Sequence, residues 1–150
     1  MSDVLTGLRD LAPGAVVVEH APKRLYISIP CGRLDEVARY LHLERGMRLA
    51  ICTGLDMREG YEVLYHFSDD PTGIVYTLKV LAPKDRPAIP SLATWFPAAS
   101  WIEREMRELI GVEFDGHPDM QPLLTSDTDW ETDRRPLRRD YERRGEQHER

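Results

Sequence analysis

Cysteine is scarce. The 150-residue chain holds two, Cys31 and Cys52. Two distant thiols form no CxxC pair, so the spacing that marks structural zinc or an iron–sulfur cluster is missing. They are also too few for a disulfide framework, and the simple expectation is two buried thiols in a reducing compartment. Glycine-rich phosphate loops are absent: there is neither GxGxxG nor GxxxxGK followed by serine or threonine. No GxSxG elbow and no HExxH pair appears. No apolar run approaches the ~18 residues of a membrane span, which predicts no direct membrane insertion. The opening residues MSDVLTGLRDLAPG lack the basic and apolar regions of a secretory signal. Basic charge is short as well. A net charge of −6 argues against nucleic acid as a partner.

What is present is ordinary globular composition, 41% hydrophobic and 31% charged. Leu5, Leu8 and Leu11 recur at helical spacing before Pro13-Gly14. Strands are expected at the Val16-Val17-Val18 run and over Arg24 to Pro30, where Leu25, Ile27 and Ile29 alternate with polar residues. Leu34, Val37, Ala38 and Leu41 mark a helix that Glu44-Arg45-Gly46 closes. Arg48 to Asp56 reads as a strand. Tyr61 to Ser68 and Ile74 to Leu81 read as an antiparallel hairpin around the turn residues Asp69-Asp70-Pro71-Thr72-Gly73. Ala82 to Ser91 carries three prolines and is expected to be a surface connection.

The strongest helical signal follows. Ile102, Met106, Leu109 and Ile110 fall on one face, and Gly111 stands where a left-handed cap belongs. Ser100 with Glu103 has the spacing of a capping box. Glu103 with Arg107, and Arg104 with Glu108, have the spacing of surface ion pairs. Residues 127–150 hold eight acidic and seven basic side chains and little apolar surface, the composition of a charged arm. The expected fold is α+β: a two-layer domain over residues 1–125, its mixed β-sheet packed by helices, plus an extended C-terminal tail over 126–150.

For chemistry, Glu103, Glu105 and Glu108 with His117 are the candidates for acid–base or metal work. Their bland alternative is helix capping and ion pairing, because the spacing fixes no convergence with His117. The reading that follows is no catalytic, cofactor-binding or metal residue. Trp95, Phe96, Trp101 and Phe114 surround the last helix, either as core or as partner contact.

The segment SLATWFPAASWIEREMRELIGVEFDGHPDMQPLL, followed by RPLRRDY, resembles the 30 kDa subunit family of complex I, the NADH:quinone oxidoreductase. That family includes the homologous subunit of membrane-bound, energy-converting nickel–iron hydrogenases. The resemblance rests on Ser91, Trp95, Glu103-Arg104-Glu105, Glu108, Gly111, Gly116-His117-Pro118-Asp119 and Pro136-Leu137-Arg138-Arg139-Asp140, with YEVLYHFSD upstream. It implies a cofactor-free, non-catalytic, hydrophilic subunit of the peripheral arm of a complex I-like oxidoreductase. The chain would stabilise a hydrogenase-like large subunit, beside iron–sulfur subunits, on the cytoplasmic face of the membrane. It also implies partner contacts through Trp101, Glu103, Arg104, Glu105, Glu108, His117, Pro118, Asp119, Pro136, Leu137, Arg138, Arg139 and Asp140. Glu108-Leu109-Ile110-Gly111-Val112 stands where the family often has Asp-Leu-Phe-Gly-Ile, and Gln121-Pro122 where respiratory members carry two arginines. The respiratory and hydrogenase branches therefore both stay open, with a stand-alone metal-dependent enzyme as the third reading.

Overall fold

Alternation of apolar and polar residues decides the sheet. In the computed structural model, which describes residues 1–125 and 134–141, β1 runs over Val16–Ala21, β2 over Arg24–Ser28, β3 over Arg48–Asp56, β4 over Gly60–Asp69 and β5 over Ile74–Pro83. Their spatial order is β1-β2-β5-β4-β3. All neighbours are antiparallel except β2 and β5, which run parallel with Leu25 beside Tyr76 and Ile27 beside Leu78. The sheet is therefore mixed, as expected. Leu25, Ile27, Tyr61, Val63, Tyr65, Phe67, Tyr76, Leu78 and Val80 are buried in one continuous core. Their period of two puts them on one face of the sheet.

Helices cover that face. The helix α1 spans Ser2–Leu11 and buries Val4 and Leu8; α2 spans Leu34–Arg39 and buries Leu34, Val37 and Ala38. A π-helical turn over Tyr40–Glu44 prolongs α2, and Gly46 ends it at φ 69°. The last helix, α3, spans Pro97–Leu109 and lies over β3 at Gly54. Any Cβ at Gly54 would collide with Ile110 and crowd Met106, so the missing side chain lets helix and strand approach. The opposite face of the sheet carries no layer among the described residues, and Val16, Val18, Ile51, Leu55 and Leu81 are exposed there.

One expectation fails in the proline-rich stretch. Ala82 still belongs to β5, and Ala88–Pro90 forms β6, which pairs in parallel with β7 at Glu113–Asp115. Proline lacks the N–H a strand needs, but this two-stranded ribbon is short and its two prolines flank Ala88-Ile89. Its effect is to clamp the residues before α3 to the residues after it.

Candidate docking site around the last helix

Pro97 occupies the first turn of α3, and Phe96 is its cap residue without a side-chain bond. The capping box expected at Ser100 and Glu103 is thus displaced. Proline at the first position needs no hydrogen-bond partner for its missing N–H and is pre-set for the helix. Ser100 lies inside the first turns, and Glu103 turns inward with Ala99 and Met106.

Glu103 is fully buried. Its carboxylate accepts the Ser91 hydroxyl at 2.5 Å and the Leu92 N–H at 2.9 Å. The Ser91 oxygen in turn accepts the Ala93 N–H at 3.0 Å. Burial pushes the Glu103 carboxyl up from 4.5 to about 7, against the opposing pull of Ser91 and the backbone donors. Burial also pushes the Cys52 thiol well up, and the nearby Glu103 charge adds to it. Glu103 therefore fastens the end of the β6–β7 ribbon to α3 instead of pairing with Arg107 on the surface.

Both expected ion pairs thus give way to longer-range bonds. Arg107 reaches Glu113 at 2.9 Å. Arg104 donates to the carbonyls of Gln121 and Pro122 at 2.7 and 2.8 Å. Glu108 is buried and accepts the N–H groups of Leu123, Leu124 and Thr125 and the Thr125 hydroxyl. Burial raises its carboxyl, but these donors outweigh burial and hold it below its ordinary value. The i,i+4 spacing is real, yet each side chain finds a partner that a lone helix does not offer.

His117 sits against α3 with its side chain buried. The Asp119 N–H donates to Nδ1 at 3.0 Å, so that nitrogen accepts. Nε2 then carries the proton and donates to the Ser100 carbonyl at 3.2 Å. Glu103 Oε2 lies 4.0 Å from Nε2, beyond a hydrogen bond. The GHPD element is thus a turn pinned to the start of α3, with Pro118 and Asp119 exposed at its tip. Among the described residues no three of His, Cys, Asp and Glu stand together as a ligand set.

The end of α3 shows the largest departure from expectation. A helix leaves its last carbonyls without partners. Here Leu137 N–H donates to the Leu109 carbonyl at 3.0 Å and Arg138 Nε to the Ile110 carbonyl at 2.6 Å. Arg135 reaches the Glu108 carbonyl at 3.5 Å. Gly111 adopts φ 84°, and a Cβ there would lie 2.5 Å from Arg138 Nη2 and 2.7 Å from Arg135 Nε. Arg138 also lies over the Tyr61 ring at 4.9 Å. Arg139 N–H donates to Asp56, which pairs with Lys84 at 2.9 Å. Residues 134–141 pack on their own domain as a remote C-terminal cap. Guanidinium groups suit that place because the helix dipole is negative there. The parts of the expected arm at 126–133 and 142–150 lie outside the described residues.

The aromatic group divides. Trp95 and Phe96 stack in the domain, Trp95 donating to Asp35 at 2.6 Å and Phe96 stacking on His42. Phe114 is buried. Trp101 is 69% exposed on α3. Glu105 one turn later is exposed and makes no ion pair among the described residues. Pro136 is half-buried, while Leu137, Arg139 and Asp140 face solvent in part or whole.

Known proteins are similar to this chain. The chain is 33% identical over 128 residues to a subunit of the F(420)H(2) dehydrogenase of Methanosarcina mazei, covering 81% of this chain and 78% of that one. It is 34% identical over 143 residues to formate hydrogenlyase subunit 5 of Escherichia coli, covering 91% of this chain but only 25% of that protein. A chain of the membrane-bound sulfane sulfur reductase, an archaeal respiratory membrane complex, superposes with TM-score 0.81 at 25% identity, over 94% of this chain and 85% of that one. Residues 27–147 match the family described as respiratory-chain NADH dehydrogenase, 30 Kd subunit, and the chain belongs to that family.

Proposed function

We propose that this chain is a non-catalytic peripheral-arm subunit of a complex I-like membrane oxidoreductase, docking on and stabilising a hydrogenase-like large subunit at the cytoplasmic face of the membrane. Family membership over residues 27–147 is the observation that carries this reading. The geometry supports it. Glu103, Glu108 and His117 have their polar atoms engaged inside the domain, which leaves them as architecture. Of the other candidates, Trp101 and Glu105 are exposed on α3, and Pro118 and Asp119 are exposed on the turn pinned to its start. No helix of the described residues is long and apolar enough to cross a membrane; in this reading the chain reaches the membrane through its partners. The ends of the electron path are set by those partners. Relatives named for an F(420)H(2) dehydrogenase, a formate hydrogenlyase and a sulfane sulfur reductase share this one domain.

The test is affinity purification of the tagged chain from gently solubilised native membranes, with identification of everything retained. A large subunit and iron–sulfur subunits in fixed proportion are expected. Recovery of the chain alone from the soluble fraction would overturn the reading. The likeness to formate hydrogenlyase subunit 5 favours a second branch, the same role in an energy-converting hydrogenase. Paired CxxC motifs in the retained large subunit would identify that branch, since thiolates are the ligands suited to nickel.

A further inference from the structure

One edge of the sheet has no neighbouring strand among the described residues. The strand β3 is the last in the sheet, so its outer backbone edge pairs with no other strand among the described residues. Natural edge strands are blunted by charges, prolines, bulges or short length. The other edge, β1, is six residues long, carries Glu19 and His20 and is bulged beside them. By contrast β3 is nine residues long, and positions 49–55 read Leu-Ala-Ile-Cys-Thr-Gly-Leu without a charge. Its single bulge lies between Leu49 and Ile51, leaving Ile51 to Leu55 regular.

A groove runs along this edge under α3. Cys52 and Gly54 line its strand side, Ile102, Met106 and Leu109 its helix side, and Leu137 also lines it. Glu105 stands on the helix rim. Trp101 precedes it by one turn, on the same side of α3. Strand addition needs this pairing of elements: a free backbone edge for hydrogen bonds, and a pocket for alternate side chains.

We propose that β3 is the site of β-strand addition by an extended segment of a partner protein of the same complex. The segment's alternate apolar side chains fill the groove beneath α3, and a lysine or arginine on it meets Glu105 and the face of Trp101. Charge selects this occupant over a second copy of the chain. Another β3 would bring no cation from its central stretch, because residues 49–55 are uncharged. Glu105 is exposed and makes no ion pair among the described residues, so a basic side chain on the incoming segment complements it. The proposal rests on the reading of the chain as a docked subunit, and it names the surface and the chemistry of the contact.

Amide hydrogen exchange tests it, measured on the free chain and on the complex purified from native membranes. The outward amides of β3 are expected to exchange at least tenfold more slowly in the complex, while the β1 amides keep their free-chain rates. Ile51→Lys places a charge on the exposed side of the edge. It is expected to keep the melting temperature of the free chain and to lower recovery of the complex severalfold. A complex that forms with unchanged β3 exchange would overturn the strand proposal and leave the docked-subunit reading standing. A chain that binds no other protein of the membrane complex would overturn both. A free chain that is already dimeric with β3 protected would overturn the heterologous partner in favour of a second copy.

Discussion

Two residues carry consequences that follow from their own geometry. Gly111 sits at φ 84° with two guanidinium groups packed over its missing side chain. A β-branched residue there meets both the backbone cost of a positive φ and a collision with Arg138 and Arg135. Gly111→Val is expected to lose about 1–3 kcal/mol from backbone strain alone, read from urea unfolding of the isolated chain; an unchanged midpoint would mean that the left-handed cap is wrong. Glu103 makes stability depend on pH. Its folded carboxyl is raised from 4.5 to about 7, so between these values the folded chain holds a proton that the unfolded chain releases. Stability contributed by the protonated form is complete below about pH 4.5 and falls as pH rises to about 7, where the loss levels off. At about 1.4 kcal/mol per pH unit, the full loss is about 3 kcal/mol. Glu103→Gln keeps an acceptor for Leu92 and removes the titration. The difference in unfolding free energy between the two chains is expected to move in favour of the glutamine variant across this range. A difference that stays flat between pH 5 and 7 would place the Glu103 titration elsewhere.

At the scale of elements, α3 is held at both ends by segments far away in sequence. The Ser91 region fastens its buried face through Glu103, and residues 134–141 close its last turn. Arg138→Met keeps an apolar stem but removes the guanidinium over Tyr61 and the donor to the Ile110 carbonyl. Loss of a charge-assisted bond at a partly buried site is expected to cost about 1.5–3 kcal/mol, with faster amide exchange through the last turn of α3. No change in either measurement would show that the remote cap is idle. How far the sequence revealed these elements depends on the range of the forces involved. The hairpin of β4 and β5 was readable because period-two alternation and the Asp69–Gly73 turn are local, and Gly111 was readable because a helix end needs a residue free to take positive φ. The spacing of Glu103 points to a capping box or a surface ion pair, because helical spacing cannot tell that a serine twelve residues earlier supplies a buried donor. The strand β6 has no local signal, because its three residues, Pro90 among them, are too few to show a period, and its pairing with β7 joins residues on either side of α3. The cap from Arg138 to Ile110 spans 28 residues, and no local pattern announces it. The motif at 136–140 was visible as a family element; its attachment to its own helix was not.

The molecule as a whole presents a rigid helix with one conspicuous side chain left in water. Trp101 is 69% exposed, although α3 is otherwise tied down by Arg104, Glu108 and His117. A tryptophan on a fixed helix carries a large contact area and little entropy left to lose, which is why it anchors interfaces so often. Its position also decides what a mutation can report. Because the indole lies outside the core, Trp101→Ala is expected to shift the free chain's stability by no more than about 0.5 kcal/mol, the range for exposed positions. At a partner interface the same truncation is expected to cost about 2 kcal/mol or more, a loss of roughly 30-fold in affinity. Glu103→Gln is the natural counterpart, since that side chain acts inside the domain and changes folding energetics without touching a partner directly. The two variants should therefore separate: Trp101→Ala leaves the melting temperature near that of the parent chain but dissociates rapidly from the solubilised complex, whereas Glu103→Gln changes the pH profile of melting and stays bound. Full retention of Trp101→Ala after extended washing, with the parent melting temperature, would show that this face of α3 remains in solvent in the assembled enzyme and would move the docking surface to another part of the domain.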